Sequence, residues 1–422
     1  MCTGREIARQ AGSLRRTDHP TPALRLGEPR GRQVGMRWAS ALSQQARLED
    51  AVVETARSIR EALGEVAPDL VAAFVSAHHR PAYVRLGELL RRELPGSLVL
   101  GCTAFGVIGA GREVEGEPAL SLTAASLPGV TLEPFRVEQL PAGTPEELRQ
   151  AFGIRAARPH LLLLADPLTL DATDFVSSLD RAYPGMTKVG GLASGGSSPG
   201  ENRLFLGAEA LWGGAVGVAL SGNLAVDTIV AQGCRPIGRP MLVTRCEGNI
   251  AHELDGKPPL AVLRDLFQTL DERDRDLFQS SLFAGVEMRE EQVEYREGEL
   301  LVRNLVGADS DTGALAVAAP LHAMQVLQFL LRDARTAEED LARLLDRSKQ
   351  RGASPRGALL FSCVGRGAHL FGKPDHDSDL FRQKVGPVPL GGFFCNGEIG
   401  PVGGSTFLHG YTSAFALFRE PR

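Results

Sequence analysis

Two short stretches near the end of the chain concentrate the groups best suited to chemistry. FSCVGRG, residues 361–367, sets one thiol (Cys363) and one guanidinium (Arg366) among glycines. GGFFCNGEIGP, residues 391–401, sets one amide (Asn396) and one carboxylate (Glu398) in a backbone holding four glycines. Arginine offers a two-pronged fork to a carboxylate, and glutamate offers a counter-charge to an amine. A ligand carrying both groups fits between Arg366 and Glu398, with Asn396 and the bare main chain at Gly397 beside it. The plain alternative is an Arg366–Glu398 ion pair that only ties two loops together. Cys363 or Cys395 beside His369 or His409 would suit nucleophilic catalysis, yet cysteine also packs as a small hydrophobe under a turn.

Other chemistries have thinner support. PDHDSD, residues 374–379, gathers acids, which a helix start favours without any ion. Asp309 to Gly313 begins like a calcium loop and lacks the bidentate Glu that closes one. No G-x-x-x-x-G-K-[ST] occurs, although GGLASGGSSPG (190–200) could form an anion nest from backbone N–H groups. We expect no bound metal.

The elements that would position these residues repeat three times. DLVAAFVSAHH (69–79) reads as a buried strand, a helix bearing Tyr83, Leu86, Leu89, Leu90 and Leu94 follows, and PGSLVLGCTAFG (95–106) supplies a second strand and a glycine loop. The order recurs from HLLLLADP (160–167), through a helix capped by Asp171, to PGMTKVGGLASGG (184–196). It recurs again from GALLFSCVGRG (357–367) to the 391–401 stretch. Another apolar strand follows each loop: PALSLTAAS, GAVGVALSG and TSAFALF. This β-α-β-β rhythm predicts an α/β architecture of mixed sheets with helices on their outer faces. The glycine loops, at the ends of second strands where such folds bind ligands, are expected to share one surface.

Between the second and third units GCRPIG (233–238) reads as a tight turn, PPLAVLRDLFQTL (258–270) as a helix opened by proline, and GALAVAAPLHAMQVLQFLL (313–331) as a strand followed by a helix with a buried face. Thr336 to Glu339 has the form of a capping box. Ahead of the first unit, Leu48, Val52, Ile59 and Leu63 share a helix face. The expected division is 1–35 as a disordered extension or mis-called start, 36–243 as one domain and 244–422 as a second, closely docked.

Composition narrows the class. A formal net charge of −5 gives no basic footprint for nucleic acid. Pro320, His322, Gln325 and Gln328 make the most apolar stretch too polar for a lipid-exposed span, so no membrane insertion is expected. Six cysteines without a C-x-x-C pair and no secretory signal fit reduced thiols and a cytoplasmic place.

FSCVGRG, GGFFCNGEIGP and the trailing His409-Gly-Tyr-Thr412 resemble the C-terminal FIST domain. LGCTAFG, VGGLASGG and GCRPIG are similar to the N-terminal one. The resemblance runs from about Leu48 to Phe418 and departs near Ala323, where a glycine is expected. It implies a bacterial sensory module of signal transduction that binds a small ligand such as an amino acid. Some relatives sense nitric oxide through haem and act on a histidine kinase; others carry an F-box, absent here. We therefore expect a sensor, not an enzyme, that acts on a separate partner. Its ligand contacts would be Arg366, Asn396, Gly397 and Glu398, with Cys363, His409 and Thr412 lining the pocket and Thr103 and Ser194 contributing from the equivalent loops. No cofactor is expected. The alternatives are a non-covalent haem sensor using His78, His79, His369 or His409, a protein-interaction scaffold, and a hydrolase built on Cys363.

Overall fold

A computed structural model of the chain describes residues 35–288, 300–352 and 354–421. The expected extension at 1–35 lies outside the described residues except for Gly35.

The first repeat runs β1 (Arg37–Ser43), α1 (Leu48–Leu63), β2 (Leu70–Ser76), α2 (Leu86–Glu93) and β3 (Leu98–Ala104). A hairpin of β4 (Gly106–Gly109) and β5 (Arg112–Glu115) leads on to β6 (Leu120–Ser126). The second follows the same plan: β7 (Val130–Val137), α3 (Pro145–Phe152), β8 (His160–Ala165), α4 (Ala172–Ala182) and β9 (Lys188–Leu192). Its hairpin is β10 (Leu204–Leu206) with β11 (Glu209–Leu211), and its last strand is β12 (Ala215–Gly222). The third begins at β13 (Ala225–Ala231) and is at once interrupted by an inserted barrel.

The insertion contains β14 (Cys234–Glu247), β15 (Ile250–Leu254), α5 (Pro259–Thr269) and α6 (Glu272–Ser280). It ends with β16 (Leu282–Glu287), β17 (Leu300–Ala308), β18 (Leu315–Val317) and β19 (Val326–Arg332). The third repeat then resumes with α7 (Ala334–Gln350), β20 (Gly357–Cys363), α8 (Gly367–Phe371), α9 (His376–Val385) and β21 (Leu390–Cys395). Hairpin β22 (Glu398–Val402) and β23 (Ser405–His409) precedes β24 (Ser413–Arg419).

Alternation along the strands explains why three sheets assemble. On β2, Leu70, Ala72 and Phe74 enter one core while Val71, Ala73 and Val75 face helices α1 and α2. On β8, Leu162 and Leu164 enter that same core while Leu161 and Leu163 face α3 and α4. On β20, Leu359 and Phe361 join it while Ala358 and Leu360 face α7 and α9. Period-two side chains thus give each sheet a helix-covered outer face and an inner face on one shared core. β2 is buried along its whole length, as a strand covered on both faces must be.

The repeats also exchange hairpins in a ring. Sheet order is β1-β6-β2-β3-β10-β11, then β23-β22-β9-β8-β12-β7, then β13-β24-β20-β21-β4-β5. The first repeat's hairpin extends the third sheet, the second's extends the first, and the third's extends the second. The close docking expected of two halves is therefore a sharing of sheets, and the expected division at residue 243 falls inside β14.

Three local expectations are corrected. Residues 313–331 form β18, a loop and β19 instead of a strand and a helix: β19 is flanked by both β14 and β16, and its short apolar run suits a buried strand as well as a helix. GCRPIG is no turn but the start of β14, which is irregular between Ile237 and Met241. Helix α7 starts before Thr336; Asp333 caps it by accepting from Thr336 N at 2.8 Å. Asp171 does cap α4, and Leu48, Val52, Ile59 and Leu63 are the buried stripe of α1.

Candidate functional site

The loops that follow the second strands meet, as expected of a shared surface. Phe105 N donates to Ser194 Oγ at 2.9 Å, and Ser194 Oγ donates to the carbonyl of Phe394. Asn396 N donates to Leu192 O at 3.1 Å, and Leu192 N donates to Gly397 O at 2.9 Å. Thr103 is fully buried, donates to Asn202 Oδ1 at 3.1 Å and accepts from Arg203 N at 3.0 Å. Thr103 and Ser194 therefore knit the loops together and line none of the cleft described below; as ligand contacts they are corrected.

Arg366 and Glu398 are corrected as well. Each is 0% exposed. Arg366 points its fork at Asp377, with Nε at 2.9 Å and Nη2 at 3.0 Å from the two carboxylate oxygens. That carboxylate, from the acid-rich 374–379 stretch, also accepts from Ser413 Oγ at 2.5 Å. Burial acts to raise the Asp377 carboxyl, but the Arg366 guanidinium, with hydrogen bonds from His376 and Ser413, holds it well below the usual carboxylate range. Glu398 accepts from Thr412 Oγ1 at 2.7 Å and Thr412 N at 3.2 Å through one oxygen; the other is buried with no partner. Burial pushes the Glu398 carboxyl up to about 8, so it is mostly protonated at neutral pH. Thr412, itself fully buried, serves Glu398 and not a ligand.

What remains open is a cleft of about 510 Å³ beside these two residues. Its one wall is the barrel, with Val302, Arg303 and Asn304 of β17 and the loop at Ala318 to Pro320. Its other wall is the third repeat, with Cys363 to Gly365, Asn396, Gly397 and the Leu408 to Tyr411 turn, and Thr173 at the start of α4 adds to the lining from the second repeat. Of the sequence candidates, Cys363, Asn396, Gly397 and His409 line it. A larger groove, about 720 Å³, runs between β13 and α7 and touches none of the repeat loops.

Three glycines, Gly365, Gly397 and Gly410, expose main chain on the third-repeat wall. Gly397 takes φ of +156° with its absent Cβ only 3.0 Å from Leu192 Cδ1, a place closed to other residues. Tyr411 holds a left-handed φ of +64° and donates to Asn304 Oδ1 at 2.5 Å, so the turn is tied across the cleft to the barrel. His409 Nε2 donates to Gly400 O at 3.0 Å, since a carbonyl can only accept, and Nδ1 is buried without a partner. Burial depresses the ring to about 4, with the Arg303 charge acting in the same direction, so the imidazole is neutral. Burial pushes the Cys363 thiol up to about 12.

Arg303, Asn304 and Tyr411 were not among the sequence candidates. Tyr411 sits inside the quoted His409–Thr412 motif and was within reach. Arg303 lies in the insertion, where nothing in spacing marks it. Of the four histidines considered for haem, only His409 lines the cleft.

The FIST N domain family matches residues 69–257 and the FIST C domain family residues 259–401. The chain belongs to the FIST family. FIST domains are small-ligand sensory domains of signal transduction. An uncharacterized protein of Mycobacterium tuberculosis is 35% identical over 384 residues, covering 91% of this chain and 100% of that protein. An uncharacterized protein of Mycobacterium bovis is 37% identical over 370 residues, 87% of this FIST chain and 95% of the relative. An F-box/LRR-repeat protein of Arabidopsis thaliana is 31% identical over 134 residues, 28% of this chain and 25% of its own. Among solved structures, a cyanuric acid hydrolase from A. caulinodans covers 92% of this chain and 100% of its own at 11% identity, with a TM-score of 0.32, a level at which the likeness carries no argument. Among the described residues no helix is long and apolar enough to cross a membrane.

Proposed function

We propose that the cleft between the barrel and the third repeat receives a small polar metabolite, an amino acid or a close relative, and that this FIST protein passes the event to a separate signalling partner such as a histidine kinase. The observation that carries this reading is the cleft itself: three segments of the third repeat bring glycine-rich backbone and one neutral imidazole, and β17 brings one guanidinium, to a hollow of about 510 Å³, within the range of small-ligand sites. Binding is favoured over catalysis because Cys363, the one thiol among the described lining residues, is buried and far from ionisation at neutral pH.

A route for the signal is built into the insertion. Along the chain the barrel connects to the body through short links after β13 and before α7, at Gln232–Gly233 and Asp333. Gln232 bridges them to both sides, with N donating to Asp340 Oδ2 at 3.0 Å and Nε2 to Leu300 O at 2.9 Å. A ligand that touches barrel and body favours one setting of these links over others, which shifts a partner-facing equilibrium.

The test is a melting-temperature screen of amino acids and small organic acids on the full chain, repeated on Ala318→Trp. Ala318 is exposed on the barrel rim, so the indole fills the cleft without entering a core. We expect at least one compound to stabilise the native protein and Ala318→Trp to lose that shift while its own melting temperature stays within a degree or two, as for other surface changes. Stabilisation undiminished in Ala318→Trp would place the receptor elsewhere.

A further inference from the structure

We infer that the cleft accepts a ligand as a net anion, a carboxylate with an uncharged hydrogen-bond donor close to it, in preference to a free amino acid. This rests on the receptor reading above and asks which charge that receptor takes.

The charges around the cleft do not balance. Arg303 lines it, and none of its described lining residues is Asp or Glu. The Arg303 guanidinium donates to the carbonyls of Val302 and Leu408, both at 3.1 Å, and no carboxylate among the described residues pairs with it. Two carbonyls occupy part of a five-donor fork and leave the unit charge uncompensated. A second cation stands close behind: Arg332 lies over the Tyr411 ring at 4.8 Å and donates to the Gly365 carbonyl, while its Nε is buried without a partner. Arg332 too has no carboxylate partner among the described residues. Glu398, next in the chain to the lining residue Gly397, is the acid that would offset them, and burial keeps it protonated at neutral pH. Within the lining an ammonium meets guanidinium charge and no carboxylate. Asp171 and Asp174, the acids beside the lining residue Thr173, are exposed at the start of α4, where Asp171 accepts from the backbone N–H groups of Thr173 and Asp174. A carboxylate meets its counter-charge and a geometry that arginine binds in two prongs.

The second polar feature fixes the neighbouring group. His409 Nδ1 is an acceptor with no donor, in a residue 3% exposed that lines the cleft. A buried acceptor left empty is costly, so an N–H or O–H belongs opposite it. The ring cannot balance a positive charge, being neutral itself. Pro320, Val364 and Leu408 supply apolar wall for the rest of the ligand. N-acylated amino acids and 2-hydroxy acids meet all three demands.

Three probes with one side chain separate the possibilities: N-acetyl-L-leucine (anion with an amide N–H), L-leucine (zwitterion) and L-leucinamide (cation), with matching sets built on alanine and phenylalanine. The melting temperature of the full-length protein should rise most with the anion in at least one set, less with the zwitterion and not with the cation. In Arg303→Gln, affinity for that anion should fall by about tenfold or more, the scale for losing a close charge pair. The ranking needs no variant, so it decides the matter even if Arg303→Gln folds poorly. A zwitterion or cation that stabilises most, with its shift lost in Ala318→Trp, would overturn the charge inference and leave the receptor reading standing. An anion shift unchanged in a folded Arg303→Gln would overturn the role of Arg303, and no shift from any probe would overturn both readings.

Discussion

Glu398 spends one oxygen on Thr412 and leaves the other without a hydrogen-bond partner in a site with no water-accessible surface. Such a group is tolerated because it keeps its proton. Its folded carboxyl titrates near 8 against 4.5 for the free side chain. Between those values the native state binds more protons than the unfolded chain, so stability falls as pH rises, by about 1.4 kcal/mol per pH unit from this group. Below about 4.5 and above about 8 the contribution is flat. Glu398→Gln keeps the shape and a neutral side chain, so its loss of stability between pH 5.5 and 7.5 should be smaller than the parent's by about 2 kcal/mol. Urea melts at the two pH values measure this, and an unchanged slope would mean that Glu398 is ionised in the fold. Glu113 is raised in the same direction, chiefly by burial, so the parent keeps part of its slope in the variant. At this scale the sequence misassigned the partners. Arg366 and Glu398 do sit in a glycine-rich backbone, but Arg366 pairs with Asp377 and Glu398 is a neutral acid held by Thr412. The choice of Asp377 as the partner of Arg366 depends on α9 folding back over β20, which no local pattern announces.

The glycines beside these residues are explained by the sheets. Gly101 faces Ala73, Gly190 faces Leu163 and Gly392 faces Leu360 across the one parallel strand pair of each repeat. A Cβ at those glycines would lie 2.1, 1.8 and 1.8 Å from the carbonyl oxygen opposite. The same constraint thus recurs at the same register three times, and part of what looked like ligand-facing backbone is close packing between strands. Gly190→Ala and Gly392→Ala should each cost about 1–3 kcal/mol or more, as overpacking does. Gly307→Ala, whose Cβ meets nothing nearer than 4.0 Å, should stay within about 0.5 kcal/mol. Chemical denaturation separates the two outcomes, and equal effects at all three sites would refute the packing account. Elements with a clear period were legible, as α1 and the paired strands of each repeat show. The barrel was not. Its β19 reads as Val-Leu-Gln-Phe-Leu-Leu, a run too uniform for periodicity to separate strand from helix, and its β14 hides a bulge that imitates a turn.

At the scale of the molecule, the ring of exchanged hairpins makes the FIST halves interdependent. Cut at residue 257, the N-terminal piece leaves β9 without β22 and β4 without β21; the C-terminal piece leaves β24 without β13. Residues 35–257 and 258–422 produced separately should each lack a cooperative thermal transition, and producing them together should restore one. Circular dichroism melts check this, and a sharp transition in the N-terminal piece alone would show that the shared strands are dispensable. Three repeats and three meeting loops could be read from the order of strands, helices and glycines. The exchange could not, because β4 pairs with β21 from nearly the far end of the chain and pairing at that separation leaves no mark on either segment.

That ring also sets a timetable for synthesis. The hairpin that completes the second sheet, β22 and β23, leaves the ribosome about two hundred residues after the β9 edge it covers. Until then β9 presents open N–H and C=O groups, the template on which chains stick to one another. Nascent protein is therefore a natural client for chaperones, and a chain stopped between the end of β9 and the start of β22 should aggregate instead of folding.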